Sequence, residues 1–249
     1  MQKTLLAMTP WLSLDRYARN DALRRSIIIY QRVELMELTI IQKIAVWAIP
    51  LLFAITLHEV AHGWVASLFG DQTARLSGRL TINPLKHIDL VGTVIVPILM
   101  LVLGGFIFGW AKPVPVDARN MRNPRYNMAV VAMAGPVANF LMAIFWALIA
   151  KLGLTLNVWF GIPLIYMGQA GMMINIVIGV LNCLPIPPLD GGRAASLLLP
   201  GRWGWALRRV EPYGFLIVIL LVSTGIFSYL IGPVVYALLR GIAGVFGLS

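Results

Sequence analysis

Three residues in the stretch "LHEVAHGW" have the types and spacing for metal chemistry: His58, Glu59 and His62. On a helix, side chains four residues apart share a face, with Cβ atoms about 6 Å apart. Two imidazoles so placed can converge on one Zn2+, each bond being about 2.0–2.1 Å. Glu59 adjoins the first histidine and precedes the second by three residues, which suits a general base acting on water at that metal. The chain has only three histidines, and this motif takes two of them.

A catalytic zinc site normally has a third protein ligand and one open position. The third histidine, His87, is one candidate and a carboxylate is the other. Acidic residues number only ten, and Asp190 stands out among them. It follows a hydrophobic block and the turn "LPIPPLDGG", in which prolines stop a helix and Gly191 and Gly192 let the backbone approach other groups. Judged alone, Asp190 reads as a turn or helix-capping aspartate. Beside a two-histidine motif short of one donor, it reads as a ligand, with His87 as the alternative.

The elements that must position these groups are apolar. Of 249 residues, 59% are hydrophobic and 12% charged, against about 25% charged in soluble domains. Mean hydropathy is +0.83. The apolar residues fall in long blocks, so the expected fold class is an all-α polytopic membrane protein embedded in the lipid bilayer. An ionisable residue at mid-membrane costs about 2.5 kcal/mol or more and tends to be functional. The competing account of the motif is a polar helix face buried in a bundle. The net charge of +10 sits mostly between the blocks or before the first, where it meets lipid head groups rather than nucleic acid. The single Cys183 excludes an internal disulfide and a multi-thiolate metal site.

Hydrophobic blocks run over about 41–69, 90–110, 126–150, 169–184 and 215–239, with 156–168 either a partial crossing or a surface loop. A bundle of five to six transmembrane helices is therefore expected. The alternating "TARLSGRLTI", residues 73–82, suggests a short β-hairpin after the first crossing. The block at 90–110 contains Pro97 and the pair Gly104-Gly105 and lies between two basic segments. Both flanks cannot be cytoplasmic if it crosses fully, so it either breaks the positive-inside pattern or re-enters. Residues 1–38 read as an N-terminal polar or interfacial segment, with a short interfacial helix at 26–38 and no visible signal peptide. Residues 39–240 read as one domain with its core at 50–195.

Four stretches taken together, "HEVAH", "NPLKHID", "GPVAN" and "NCLPIPPLDGG", resemble the site-2 protease family of intramembrane zinc metalloproteases, in its compact prokaryotic branch. The likeness covers about residues 50–195. Asn182, Pro185, Asp190 and Gly191 fill the family pattern N-x-x-P-x-x-x-x-D-G, and Gly135, Pro136 and Asn139 match its central-helix motif. The resemblance implies one Zn2+ held by His58, His62 and Asp190, with Glu59 as catalytic base. It also implies transmembrane protein substrates and a multi-pass protein of the prokaryotic plasma membrane.

The remaining motif residues have two readings each. His87, Asn139 and Asn182 either contact substrate or support the ligands; amides in apolar helices also serve as plain interhelical bonds. Asn83 and Asp89 fit an ordinary turn. Gly135-Pro136 would thin or kink its helix and open room beside the metal, whereas Pro185 and Gly191 are scaffold. Without a PDZ-like insertion, substrate choice would rest on the bundle, on short loops or on an accessory protein. The rival function is a membrane transporter or metal-binding scaffold without proteolysis.

Overall fold

The computed structural model describes residues 39–96, 99, 109, 111–156 and 158–248. The N-terminal segment 1–38, with its expected interfacial helix, and most of the stretch 97–110 lie outside the described residues.

Seven α-helices follow one another among the described residues: α1 (Ile40–Leu68), α2 (Thr73–Leu76), α3 (Pro124–Thr155), α4 (Val158–Asn182), α5 (Asp190–Leu198), α6 (Gly201–Ser223) and α7 (Ile226–Phe246). Helices satisfy their own backbone groups, which hydrocarbon requires. Among the described residues, four stretches are long and apolar enough to cross a membrane: Ile44–Leu68, Pro124–Thr155, Phe160–Asn182 and Tyr229–Phe246. The expected block at 90–110 lies mostly outside the described residues, and two of the other expected elements take a different form.

The first concerns residues 156–168, which are neither a partial crossing nor a surface loop but largely the opening turns of α4. Gly161 looks like a helix breaker, yet it is a contact residue: a Cβ there would lie 2.4 Å from the carbonyl oxygen of Gly153 on α3. The second concerns the block at 215–239, which is two helices. The chain breaks at Gly225, whose φ of 74° is left-handed and favours glycine. The first half of α6 carries Arg202, Arg208, Arg209 and Glu211, so its apolar remainder is too short to span.

The expected β-hairpin is also replaced by helix, and no strand occurs among the described residues. Alternation over so few residues fits one helical turn as well as a strand, with Ala74 on the buried side. Asp71 favours the helix by accepting the Thr73 N–H at 3.1 Å.

The centre of the bundle is the antiparallel pair α3 and α4. Small residues bring these helices together, as is usual in membranes. A Cβ at Gly168 would be 2.6 Å from Ala150, and one at Gly171 would be 2.2 Å from the Trp146 ring. α7 closes one side, setting Ile231 and Val235 against Ala143, Ile176 and Val180. α5 packs on α3 through Ala194, Ala129 and Ala132. The ends of the segment 88–111 lie together: the Lys112 N–H donates to the His87 carbonyl at 2.9 Å, and the Asp117 N–H to Asp71 at 2.7 Å.

Candidate metal centre

His58 and His62 stand one turn apart on α1, and their Nε2 atoms are 3.1 Å from each other. Asp190, the first residue of α5, brings Oδ2 to 3.0 Å from His58 Nε2 and 3.4 Å from His62 Nε2. The proline turn after α4 delivers this carboxylate. Gly191 and Gly192 then fit against its backbone, with added Cβ atoms 2.4 Å from the Cys183 oxygen and 2.2 Å from the Pro187 nitrogen.

The other ring nitrogens fix the tautomers. His62 Nδ1 faces the Val131 carbonyl at 2.7 Å, and a carbonyl only accepts, so Nδ1 carries the proton. Asn139 commits its NH2 to Asn175 Oδ1 at 2.9 Å and to the Ala54 carbonyl at 3.3 Å. Its Oδ1 is thereby turned to His58 Nδ1, 2.5 Å away, and accepts the proton there. In neutral imidazoles this leaves both Nε2 lone pairs bare. Asp190 Oδ2 is itself buried without a hydrogen-bond partner.

Three electron-rich atoms thus converge, which is unfavourable unless a cation lies among them. For tetrahedral zinc with bonds of about 2.0–2.1 Å, the ligand–ligand edge is about 3.3–3.4 Å. The observed separations of 3.1, 3.0 and 3.4 Å lie within about 0.4 Å of that edge. Two nitrogens and one oxygen also form a donor set that zinc accepts with one position open. The residues present fit the metal.

Glu59 holds its Oε2 against the Val114 N–H at 2.8 Å. Gly135 backs the site from α3: a Cβ there would lie 2.4 Å from His62 Nε2 and 2.5 Å from His58 Cε1. Only glycine leaves room for both rings. Pro136 beside it has no N–H to offer the Ala132 carbonyl; the carbonyl that His62 uses belongs to Val131, one residue earlier.

Not every motif residue joins this centre. Among the described residues, the group with metal-ligand geometry is His58, His62 and Asp190; His87 is outside it. His87 is buried and hydrogen-bonds through Nε2 to the Thr81 carbonyl at 3.0 Å. Asn182 donates to the Ile178 carbonyl on its own helix at 3.0 Å. Asn83 and Asp89 cap the turns that follow them, accepting the Leu85 and Gly92 amides. Pro185 lies in the turn leading to Asp190. Two residues escaped the reading of the sequence. Asn175, an amide in the apolar run "MMINIVIG", carries the same signal that singled out Asn139. Asp71 is an acidic residue just past the end of the metal helix.

The chain is similar to proteins named as zinc metalloproteases along much of its length. The family model described as Peptidase family M50 matches residues 46–164. The Bacillus subtilis protein named "Putative zinc metalloprotease YwhC" is 38% identical over 193 residues, covering 76% of this chain and 85% of that one. "Putative zinc metalloprotease Rip2" of Mycolicibacterium smegmatis is 33% identical over 70% of this chain and 64% of its own length. "Protease RseP" of Yersinia pestis is 32% identical over 43% of this chain and 25% of its own length. No solved structure gives a significant match. The span shared with YwhC includes most of the chain and most of that protein: the chain belongs to peptidase family M50.

Proposed function

We propose that this protein is an intramembrane zinc endopeptidase that hydrolyses peptide bonds in or near transmembrane segments of membrane proteins. The observation that carries this reading is the meeting of His58 Nε2, His62 Nε2 and Asp190 Oδ2 within 3.4 Å of one another, close to the edges of a tetrahedral metal site. His58, His62 and Asp190 are the ligands in this reading. Zinc bound there acidifies a water and polarises a peptide carbonyl.

The rest of the chemistry falls to the chain's own residues. Glu59 has Oε2 engaged by Val114, which leaves Oε1 to take a proton from the attacking water and return it to the leaving nitrogen. Asn139 and Val131 hold the two rings so that their Nε2 atoms face inward. Gly135 keeps the space beside them open. A substrate helix must unwind locally to present a bond, because its carbonyls are otherwise paired within the helix. The substrate class is therefore transmembrane segments with weak helical stretches.

The segment 88–111 starts and ends on one membrane face in this reading. Its ends are hydrogen-bonded to each other through His87 and Lys112, which accounts for basic residues on both flanks without violating the positive-inside pattern.

The test uses the full chain and Glu59→Gln, purified in detergent, with zinc content and cleavage of a library of transmembrane peptides as readouts. Equal zinc, with cleavage lost only in the variant, supports the protease. A parent without zinc, or a variant that cleaves as well as the parent, overturns it. Metal retention with no cleavage by either protein is the outcome a metal-binding scaffold or transporter predicts.

A further inference from the structure

The stretch "AKPVPVD", residues 111–117, is hydrogen-bonded to Arg79, His87 and Asp71 and touches Glu59 of α1. The Val114 N–H donates to Glu59 Oε2 at 2.8 Å. The Val114 side chain is buried and seats on Gly63, one helical turn beyond Glu59. A Cβ at Gly63 would lie 2.7 Å from Val114 Cγ1. One residue of the stretch therefore grips α1 at two successive turns. Pro113 and Pro115 flank it. Each fixes its own φ and lacks an N–H, so Val114 carries the only amide proton between them.

The stretch is itself held from outside the metal site. Arg79 Nη2 donates to the Lys112 carbonyl at 2.8 Å and to the Pro113 carbonyl at 3.4 Å. The Lys112 N–H donates to the His87 carbonyl at 2.9 Å. At the far end, Asp71 Oδ2 accepts the Asp117 N–H at 2.7 Å, and Asp71 Oδ1 accepts the Asn120 amide at 2.9 Å. Asp71 is fully buried. Neither Arg79 nor Asp71 belongs to the metal-ligand group.

We propose that residues 111–117 are a clamp that sets the rotamer of Glu59, and that Arg79 and Asp71 are positioning residues acting through it. The inference rests on the reading of Glu59 as the catalytic base. A carboxylate fastened at Oε2 points Oε1 in one direction. Released, it samples several rotamers, and a base misplaced by about 1 Å can lose about a hundredfold in rate. The same contact explains Gly63: any side chain there would lift Val114 off the helix and draw its amide from Glu59. It also assigns His87 a part, since its carbonyl anchors Lys112 while its ring closes the 81–87 turn.

The experiment combines amide exchange, zinc binding and kinetics on the full-length protein in detergent. Between residues 112 and 116 only Lys112, Val114 and Val116 have amides, so fragment-resolved exchange isolates Val114. Glu59→Ala should speed Val114 exchange about tenfold or more, while Glu59→Gln, which keeps an acceptor oxygen, should not. Unchanged exchange in Glu59→Ala would overturn the clamp whether or not the protein is a protease. Arg79→Ala should speed the same exchange and lower kcat about tenfold or more, with zinc affinity unchanged and KM within about twofold. Arg79→Lys should recover part of kcat. Full kcat in Arg79→Ala with Val114 exposed would sink the positioning role, as would a loss that appears in zinc affinity or KM instead. The protease reading fails separately, through a Glu59→Gln protein that still cleaves.

Discussion

The amide oxygen of Asn139 lies 2.5 Å from Nδ1 of His58, and Asn139 is wholly buried. This pair joins the metal site to the centre of the bundle. Asn139 is itself fixed by Asn175, whose NH2 is in turn held by the Gly171 carbonyl at 2.8 Å. The His58 ring on α1 is therefore oriented by a chain of amides running through α3 into α4.

Removing the middle of that chain should weaken the metal. Partners of this kind typically contribute about 10- to 100-fold in metal affinity. Asn139→Ala is expected to fall in that range, with Asn175→Ala losing less because Asn139 keeps the Ala54 carbonyl. Competition with a chromophoric zinc chelator measures both. Equal affinities in Asn139→Ala and the parent would refute the orienting role.

Gly135→Ala should remove the metal while leaving the helices intact. The new methyl would stand 2.4 Å from His62 Nε2 and 2.6 Å from His58 Nε2, so the rings must turn away. Zinc content should fall close to zero and cleavage by about a hundredfold or more, with helicity by circular dichroism unchanged. A zinc-loaded Gly135→Ala protein would contradict the close approach of α3 to α1.

The choice of third ligand is tested by Asp190→Ala against His87→Ala. The first leaves two nitrogens for the metal and should cost more than about a hundredfold in zinc affinity, beyond the range of an indirect partner. His87→Ala should retain full zinc stoichiometry. Loss of metal only in the latter would reverse the assignment.

Asp71 gives the fold an acid-side pH dependence. Burial opposes ionisation of its carboxyl, but hydrogen bonds from Asn120, from Thr73 and from the Asp117 amide outweigh this and hold its pKa below the usual carboxylate value. A group depressed in the folded state adds stability above its unfolded pKa of about 3.9. That stability is lost as pH falls through the lower folded value. Asp71→Asn should therefore melt several degrees below the parent at pH 7, consistent with about 2 kcal/mol for hydrogen bonds to a buried charge. The gap should persist to about pH 4 and narrow below it. A gap independent of pH down to 2.5 would mean that the charge is not what stabilises. Asp117, held at about 2 by the exposed Arg119, is open to water and should contribute little.

Much of the site was legible because it is local. His58, Glu59 and His62 depend on the 3.6-residue period alone; Asp190, which by itself reads as a turn or capping aspartate, is singled out only by a histidine pair short of one donor. Asn175 was not, because an amide in an apolar helix announces a partner without naming it. The pairing with Asn139 exists only once α3 and α4 are packed. The helix boundaries failed for a related reason. Gly161 and Gly225 look alike in the sequence, yet one permits two backbones to touch within a hairpin of helices and the other ends a helix with a left-handed turn. The stretch 73–82 is too short for its alternation to tell a strand from a helical turn, and the decision fell to Asp71, outside the pattern.

The donor set is divided unevenly: two atoms travel on α1, and the third comes from the turn after α4. A ribosome making this chain therefore releases His58 and His62 early and Asp190 only after α3 and α4 have been made. A nascent chain that has emerged only through α1 has a pair of histidines and a base but no closed metal site. The three donors can meet only once residue 190 has been made, after α1, α3 and α4 and before α6 and α7.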